Sequence, residues 1–330
     1  MIRILLFTTL ILLIIIAAFP FYSVIKIRMT PSQHFSVPDP DWGTEQKNLF
    51  SHVKFLSQAI GSRSYSEPDK LDLARDYILD ALEMYGYSPS LQTYPVGSHY
   101  YSNIIVLLPG ADNNNEVIIV GAHYDTVFGT PGADDNASAV AMLLETARLM
   151  AGQRLDRTVK LVFFTLEEPP NFGTGNMGSR VFASKARKAN MNITAMICLE
   201  MVGYFYSERG RQAFPLPLMN LFYSSTPDFI GVVGNRKSAW LVERVGQGLK
   251  KGCQVPVETL AAPSFIPGIS LSDHSSFWKE GYPAVMLTDT AFYRNPNYHK
   301  SSDTVDTLNY DVMAELLKGL IHVINDLADR

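Results

Sequence analysis

Val159-Lys160-Leu161-Val162-Phe163-Phe164-Thr165-Leu166 runs straight into Glu167-Glu168. The first eight residues are mostly β-branched, aromatic or aliphatic and hold no turn residue, the pattern of a buried strand. A buried strand that ends in two adjacent acids needs partners for them, because a desolvated carboxylate is costly unless it is paired or bound to a metal. Neighbouring residues at a strand end point in different directions. One acid can therefore hold a metal while the other handles protons. The pair asks for His and Asp elsewhere in the chain.

Further strands are expected at 90–94, 103–108, 117–121, 194–200, 229–234 and 284–288. Helices are expected at 43–60, 69–85, 138–150, 178–189, 238–251 and 310–327. The second of these is the clearest: Leu71, Ala74, Ile78, Ala81 and Leu82 recur at helical spacing, and Gly86 stops it. Strands alternating with helices predict an α/β fold with a mainly parallel, mixed central sheet covered by helices on both faces. Ligand-binding residues in such sheets gather at the carboxyl ends of the strands. His123-Tyr124-Asp125 follows strand 117–121, Glu167-Glu168 follows strand 159–166, and Glu200 ends strand 194–200. Three strand ends thus carry metal-binding or acid–base side chains.

His123 and Asp125 face the same way if the chain stays extended, so the Asp could orient a neighbouring ligand. The loop Pro131-Gly132-Ala133-Asp134-Asp135-Asn136-Ala137-Ser138 leads into a helix. One of its three polar residues Asp134, Asp135 and Asn136 is expected to cap that helix. Ser272-Asp273-His274 also reads as a capping segment, and His299 follows strand 284–288 through an aromatic loop.

Of the 330 residues, 47% are hydrophobic and 18% charged, enough for a sizeable core in one large domain or two small ones. A net charge of −4 with no basic run lacks the footprint of a nucleic-acid binder. Two cysteines make no disulfide framework. Cys198 reads as a buried thiol, Cys253 as a candidate for exposure, and one bridge between them stays open. From Ile4 to Ile25 no residue is charged, which is long enough to span a bilayer. The expected organisation is a membrane anchor or signal segment over 1–28, a Pro-rich linker over 29–42 and a catalytic domain over 43–330. A single N-terminal span of this kind predicts a domain on the exported side of the membrane, or a secreted one if the segment is cleaved.

His123-x-Asp125, Gly132-Ala133-Asp134-Asp135-Asn136-Ala137-Ser138, Glu167-Glu168, Glu200-Met201-Val202-Gly203, Ser272-Asp273-His274 and Tyr298-His299-x-x-x-Asp303 occur in the order typical of metallopeptidase family twenty-eight. The chain resembles that family of co-catalytic zinc aminopeptidases, with its glutaminyl cyclase and glutamate carboxypeptidase relatives, from about residue 45 onward. The resemblance implies a zinc exopeptidase-like three-layer sandwich, peptide substrates and two Zn2+ per chain. His123, Asp135 and Glu200 would hold one zinc, and Asp135, Glu168 and His299 the other. It casts Glu167 as general base, Asp125 as the acid that sets His123, and Tyr298 as an oxyanion donor. It also implies a cis peptide at Asp135–Asn136. Glu200 stands where many members have Asp. Asn136 and Ala139 replace the Asp and Gly often found there; neither residue is expected to matter to the ligands.

An exported aminopeptidase is the leading expectation. A one-zinc cyclase, a carboxypeptidase using Arg209, Arg211, Arg236 or Arg294, and a non-catalytic ectodomain are the alternatives. The aromatic stretch from Tyr204 to Tyr223 reads equally as a packed surface loop or as a wall for an apolar substrate side chain.

Overall fold

The computed structural model describes residues 26–27, 43–111 and 115–329. The expected linker lies outside the described residues, as does the expected anchor apart from Lys26–Ile27. Among the described residues no helix is long and apolar enough to cross a membrane.

The strands are β1 (Lys26–Ile27), β2 (Ser90–Val96), β3 (His99–Leu108), β4 (Glu116–His123), β5 (Thr158–Phe164), β6 (Asn192–Glu200), β7 (Ile230–Gly234), β8 (Val257–Ala261) and β9 (Ala284–Thr288). They form one sheet in the order β1-β8-β7-β9-β6-β4-β5-β3-β2. The inner strands β5, β4, β6 and β9 run parallel. A β2–β3 hairpin joins β5 antiparallel. On the other flank β7 meets β9 antiparallel and β8 parallel. The expected mixed sheet is therefore present, with its parallel part at the centre.

The helices are α1 (Thr44–Lys54), α2 (Pro68–Met84), α3 (Ala139–Met150), α4 (Gly178–Lys188), α5 (Ala239–Gly252), α6 (His274–Lys279) and α7 (Tyr310–Ala328). Helix α1 winds on to Ile60 in a wider turn, where Gly61 N–H bonds Leu56 O five residues back. Alternation along the strands sorts the core into two layers. Ile118, Val120, Leu161, Ile197 and Leu199 face α1, α3, α5 and α7. Ile119, Val162, Phe164 and Met196 face α4 and α6, where Phe182 and Phe277 wait. Helix α3 is buried almost all round, which its apolar sequence requires.

Strand β8 is an addition to the expected elements: Pro256 precedes it and Glu258 breaks its apolar run, so no strand pattern marks it. One expectation fails. Cys253 is buried, its thiol donating to Leu249 O at 3.2 Å, and both cysteines are free thiols.

Candidate metal centre

The carboxyl ends of β4, β5 and β6 meet in mid-sheet, where a parallel register brings Gly121 opposite both Val162 and Cys198. His123 is the last residue of β4 and Glu200 the last of β6. Glu167 and Glu168 lie just past β5, and His299 comes in on the loop after β9. At three of these turns a side-chain-bearing residue takes positive φ: Leu166 (58°), Met201 (49°) and His299 (56°). Left-handed backbone costs a non-glycine residue on the order of 1–3 kcal/mol and concentrates at functional sites.

Two groups of ligating atoms result. His123, Asp135 and Glu200 form one, and Asp135, Glu168 and His299 the other. His123 Nε2 stands 3.5 Å from Asp135 Oδ1 and 3.3 Å from Glu200 Oε2. His299 Nε2 stands 3.1 Å from Asp135 Oδ2 and 3.2 Å from Glu168 Oε1. Asp135 thus offers one oxygen to each group. Neither Nε2 makes a hydrogen bond, although both are buried. A buried nitrogen without a partner is costly. Two such atoms facing carboxylates are what a pair of cation sites leaves when the cations are not counted, so these residues fit bound metal.

The electrostatics agree. Burial alone would push His123 down, but the charges of Glu200 and Glu167 carry it well above the ordinary histidine range. Burial likewise opposes protonation of His299, and the carboxylates of Asp135 and Glu168 facing it overcome that, raising it to about 10. Desolvation lifts Glu168 to about 8, with the Asp135 charge adding. The pocket of acids calls for positive charge.

Buried acceptors fix the backbone that carries the ligands. Asp125 Oδ1 and Oδ2 accept the backbone N–H groups of Glu167 and Glu168, each at 3.0 Å. Asp303 does the same for Asp134 and Asp135, at 2.9 and 3.1 Å. His123 Nδ1 lies nearer the backbone oxygen of Asp125, at 3.2 Å, than its carboxylate, at 3.5 Å. The carboxylate of Asp125 therefore grips the acid pair at least as firmly as it faces the histidine.

The capping expectation for the loop before α3 is wrong. Asp134 accepts from Gly203 N–H and Asn295, and Asn136 bonds Leu199 O and Met201 N–H on either side of Glu200. These groups have the buried backbone at the end of β6 to satisfy, which outcompetes the helix start. Asn136 thus matters to a ligand after all: its amide supplies both a donor and an acceptor. The Asp135–Asn136 peptide is cis. Ser272-Asp273-His274 does not cap α6 by a side chain either. Ser272 donates instead to Glu200 Oε2 at 2.6 Å.

Sequence reading overlooked Arg63. Fully buried, it bonds the carbonyls of Tyr124, Pro131 and Gly132 with Nε, Nη1 and Nη2, tying the His123 turn to the Asp135 loop. Desolvation lowers it to about 10, with Asp125 foremost among the acids that oppose this. Its only local signal was an arginine next to a glycine turn.

The half-buried ring of Tyr298 stacks on His299, with centroids 3.7 Å apart. It also lines a cleft of about 810 Å3, open mouth included, that begins at Glu200. Phe214, Met219 and Tyr223 form part of its wall. Tyr204 and Phe205 are buried elsewhere, so only the later half of the aromatic stretch faces the cleft. Of the four arginines considered for a carboxylate pocket, none lines it. Arg294 is buried under Phe229 and bonded to Gln212, and the other three are exposed.

The model of Peptidase family M28 matches residues 103–324, well over half of the chain. Uncharacterized protein YfbL of Escherichia coli (strain K12) is 38% identical over 297 residues, covering 88% of this chain and 90% of its own. Leucine aminopeptidase 1 of Colletotrichum graminicola is 27% identical over 241 residues, covering 68% of this chain and 54% of its own. The chain thus spans about half the length of that relative. Among solved structures, BSAP, a zinc aminopeptidase from Bacillus subtilis, has a TM-score of 0.68 at 14% identity, covering 88% of this chain and 97% of that one. A glutaminyl cyclase of Porphyromonas gingivalis has a TM-score of 0.63 at 20% identity, covering 86% and 98%. At these identities the two structures speak for the fold, while the family match and the YfbL alignment speak for ancestry. The chain belongs to peptidase family M28.

Proposed function

We propose that the chain is a zinc-dependent exopeptidase that removes N-terminal residues from peptides. The observation that carries this reading is the pair of three-residue clusters joined at Asp135, each with an imidazole nitrogen that no hydrogen bond satisfies. His123, Asp135 and Glu200 would hold one zinc ion, and Asp135, Glu168 and His299 the other, since zinc takes histidine nitrogen and carboxylate oxygen. Bound there, the ions would supply Lewis acidity toward the scissile carbonyl and lower the pKa of an attacking water.

Glu167 belongs to neither cluster but its Oε2 lies 4.0 Å from His123 Nε2. Its carboxylate takes the proton of the water and returns it to the leaving amine. Burial pushes this carboxyl well up, His123 works against the rise, and Glu168 and Glu200 add to it. A group held this way keeps the proton long enough to deliver it. Asp125 holds Glu167 in place through its backbone N–H. The Tyr298 hydroxyl donates to the developing oxyanion. Burial pushes its phenol far above the ordinary range, so it keeps its proton.

The apolar cleft receives the side chain of the N-terminal residue. A carboxypeptidase would need a cation there for the free carboxylate, and no Arg or Lys lines the cleft among the described residues. The uncharged stretch from Ile4 to Ile25 supports anchoring with the domain on the exported side. Protease accessibility of the domain in intact cells tests that placement.

Glu167→Gln tests the mechanism. It should keep about two zinc ions per chain and lose on the order of 10²–10⁴ in turnover of peptides with a free N-terminus. An active, metal-loaded variant would defeat the assignment. Pyroglutamate formed from a Gln-peptide would move the reading to a cyclase, and cleavage only from the carboxyl end would move it to a carboxypeptidase.

A further inference from the structure

The cleft that starts at Glu200 ends at a second buried glutamate. Glu200 of β6 pairs with Thr288 of β9, Thr288 with Gly231 of β7, and Gly231 with Glu258 of β8. Residues in one cross-strand row face the same side of a sheet. Those four therefore form a floor from the metal centre to the far wall, about 14 Å long at about 4.8 Å per strand. Gly231 leaves the middle of that floor open, since a Cβ there would stand 3.3 Å from Thr288 O. Leu260, Val233 and Met286 make the floor beside it apolar.

Glu258 is only 5% exposed, lines the cleft, and its Oε2 has no hydrogen bond. A carboxylate oxygen buried among apolar walls without a hydrogen bond is a cost the fold has no structural reason to carry. A lysine or arginine side chain reaches about 6–7 Å from its Cα, roughly twice as far as leucine. Its methylene stem suits the apolar walls, and its charged head suits an acid at the end.

From this we infer, on the aminopeptidase reading above, that Glu258 is a specificity residue that selects peptides whose N-terminal residue is lysine or arginine. The α-amine end of the substrate stays at the metal centre, and the side chain lies along the floor with its cation on the Glu258 carboxylate. Leucine and methionine fill the near part of the same cleft and leave that carboxylate unpaired. Desolvation raises Glu258 to about 7, with the charge of Lys250 opposing and Asp228 adding. Tyr223, packed beside it, stays neutral because burial raises its phenol. The preference for cationic residues should therefore strengthen as pH rises through about 7.

The test is a panel of aminoacyl 4-nitroanilides of Lys, Arg, Leu and Met with zinc-loaded full-length protein at pH 8. The expected result is a kcat/KM for Lys and Arg at or above that for Leu. Glu258→Gln should lower Lys and Arg by about 10- to 100-fold and leave Leu within about twofold. Retained Leu turnover also reports that the variant is folded. Calorimetric binding of lysinol, which has no scissile bond, should weaken by the same factor while leucinol does not. Wild-type turnover of Leu without Lys, or equal losses on all four substrates in Glu258→Gln, would overturn the inference. Inertness of the wild type to the whole panel would instead bring down the aminopeptidase reading, and the specificity with it.

Discussion

Glu200 and Glu258 stand on the same face of the sheet, in the same cross-strand row, and both are buried. Their neighbours differ. Glu200 takes a hydrogen bond from Ser272, faces His123 at 3.3 Å, and sits between two backbone groups held by Asn136. Glu258 has apolar walls and an oxygen with no bond at all. A carboxylate that is to hold a metal must be held itself, because a ligand that swings loses affinity. A carboxylate that is to receive a varied guest is better left open. One side-chain type on one surface thus reads as two roles.

Removing each acid should separate the two ends most sharply. Glu200→Ala takes an oxygen from one cluster and should abolish the cognate metal together with activity on every substrate, a loss exceeding about 10³-fold. Metal analysis beside turnover on a Leu and a Lys substrate reads this directly. A loss confined to Lys would mean that Glu200 and Glu258 do the same job.

Ser272→Ala makes a smaller cut, removing one of the holds that Glu200 has and Glu258 lacks. The hydroxyl lost is the donor at 2.6 Å. Removing such an orienting partner typically costs 10- to 100-fold in metal affinity or activity, so a drop of about that size is expected with the Lys/Leu ratio unchanged. Zinc titration against a competing chelator, with the substrate pair run alongside, checks both parts.

How much of this could be read from the residues depends on whether partners are local. His123, Glu168 and Glu200 announce themselves because polar groups end apolar runs, and a parallel sheet gathers strand ends. Asp135 and His299 came from motif order, and the structure brings both to the same point. The grip of Asp125 on the Glu167 and Glu168 amides was harder to see, since acceptor and donors are separated by a strand and a helix. Arg63 has no local pattern beyond the neighbouring glycine turn: its role exists only once the carbonyls of Tyr124, Pro131 and Gly132 converge on it. Asn136 was set aside because it is not a ligand, and a buried amide between two backbone groups leaves no periodic trace. Strand β8 went unread for the reason that makes it informative. Glu258 interrupts the apolar run that would have marked it, and its register with Gly231 is long-range information.

The smallest expected effect concerns stability. Glu258 ionises near its ordinary value, about 4.3, in the unfolded chain but is raised to about 7 by burial in the fold. Between those values the unfolded state has lost the proton and the folded state has kept it. Stability contributed by this group is therefore present at low pH and falls as pH rises to about 7. Glu258→Met removes the titration and keeps the volume. Relative to wild type, it should gain about 1–2 kcal/mol at pH 8, after allowance for solvent reaching the cleft, and much less near pH 4.5. Glu200→Met offers the contrast, because it also removes the acceptor of the Ser272 hydroxyl and a neighbour of His123. Melting curves of metal-free protein at the two pH values should show a pH-dependent gain for Glu258→Met alone. The same gain for both variants would mean that the two acids are equally unpaired, and the distinction between a held ligand and an open receptor would dissolve.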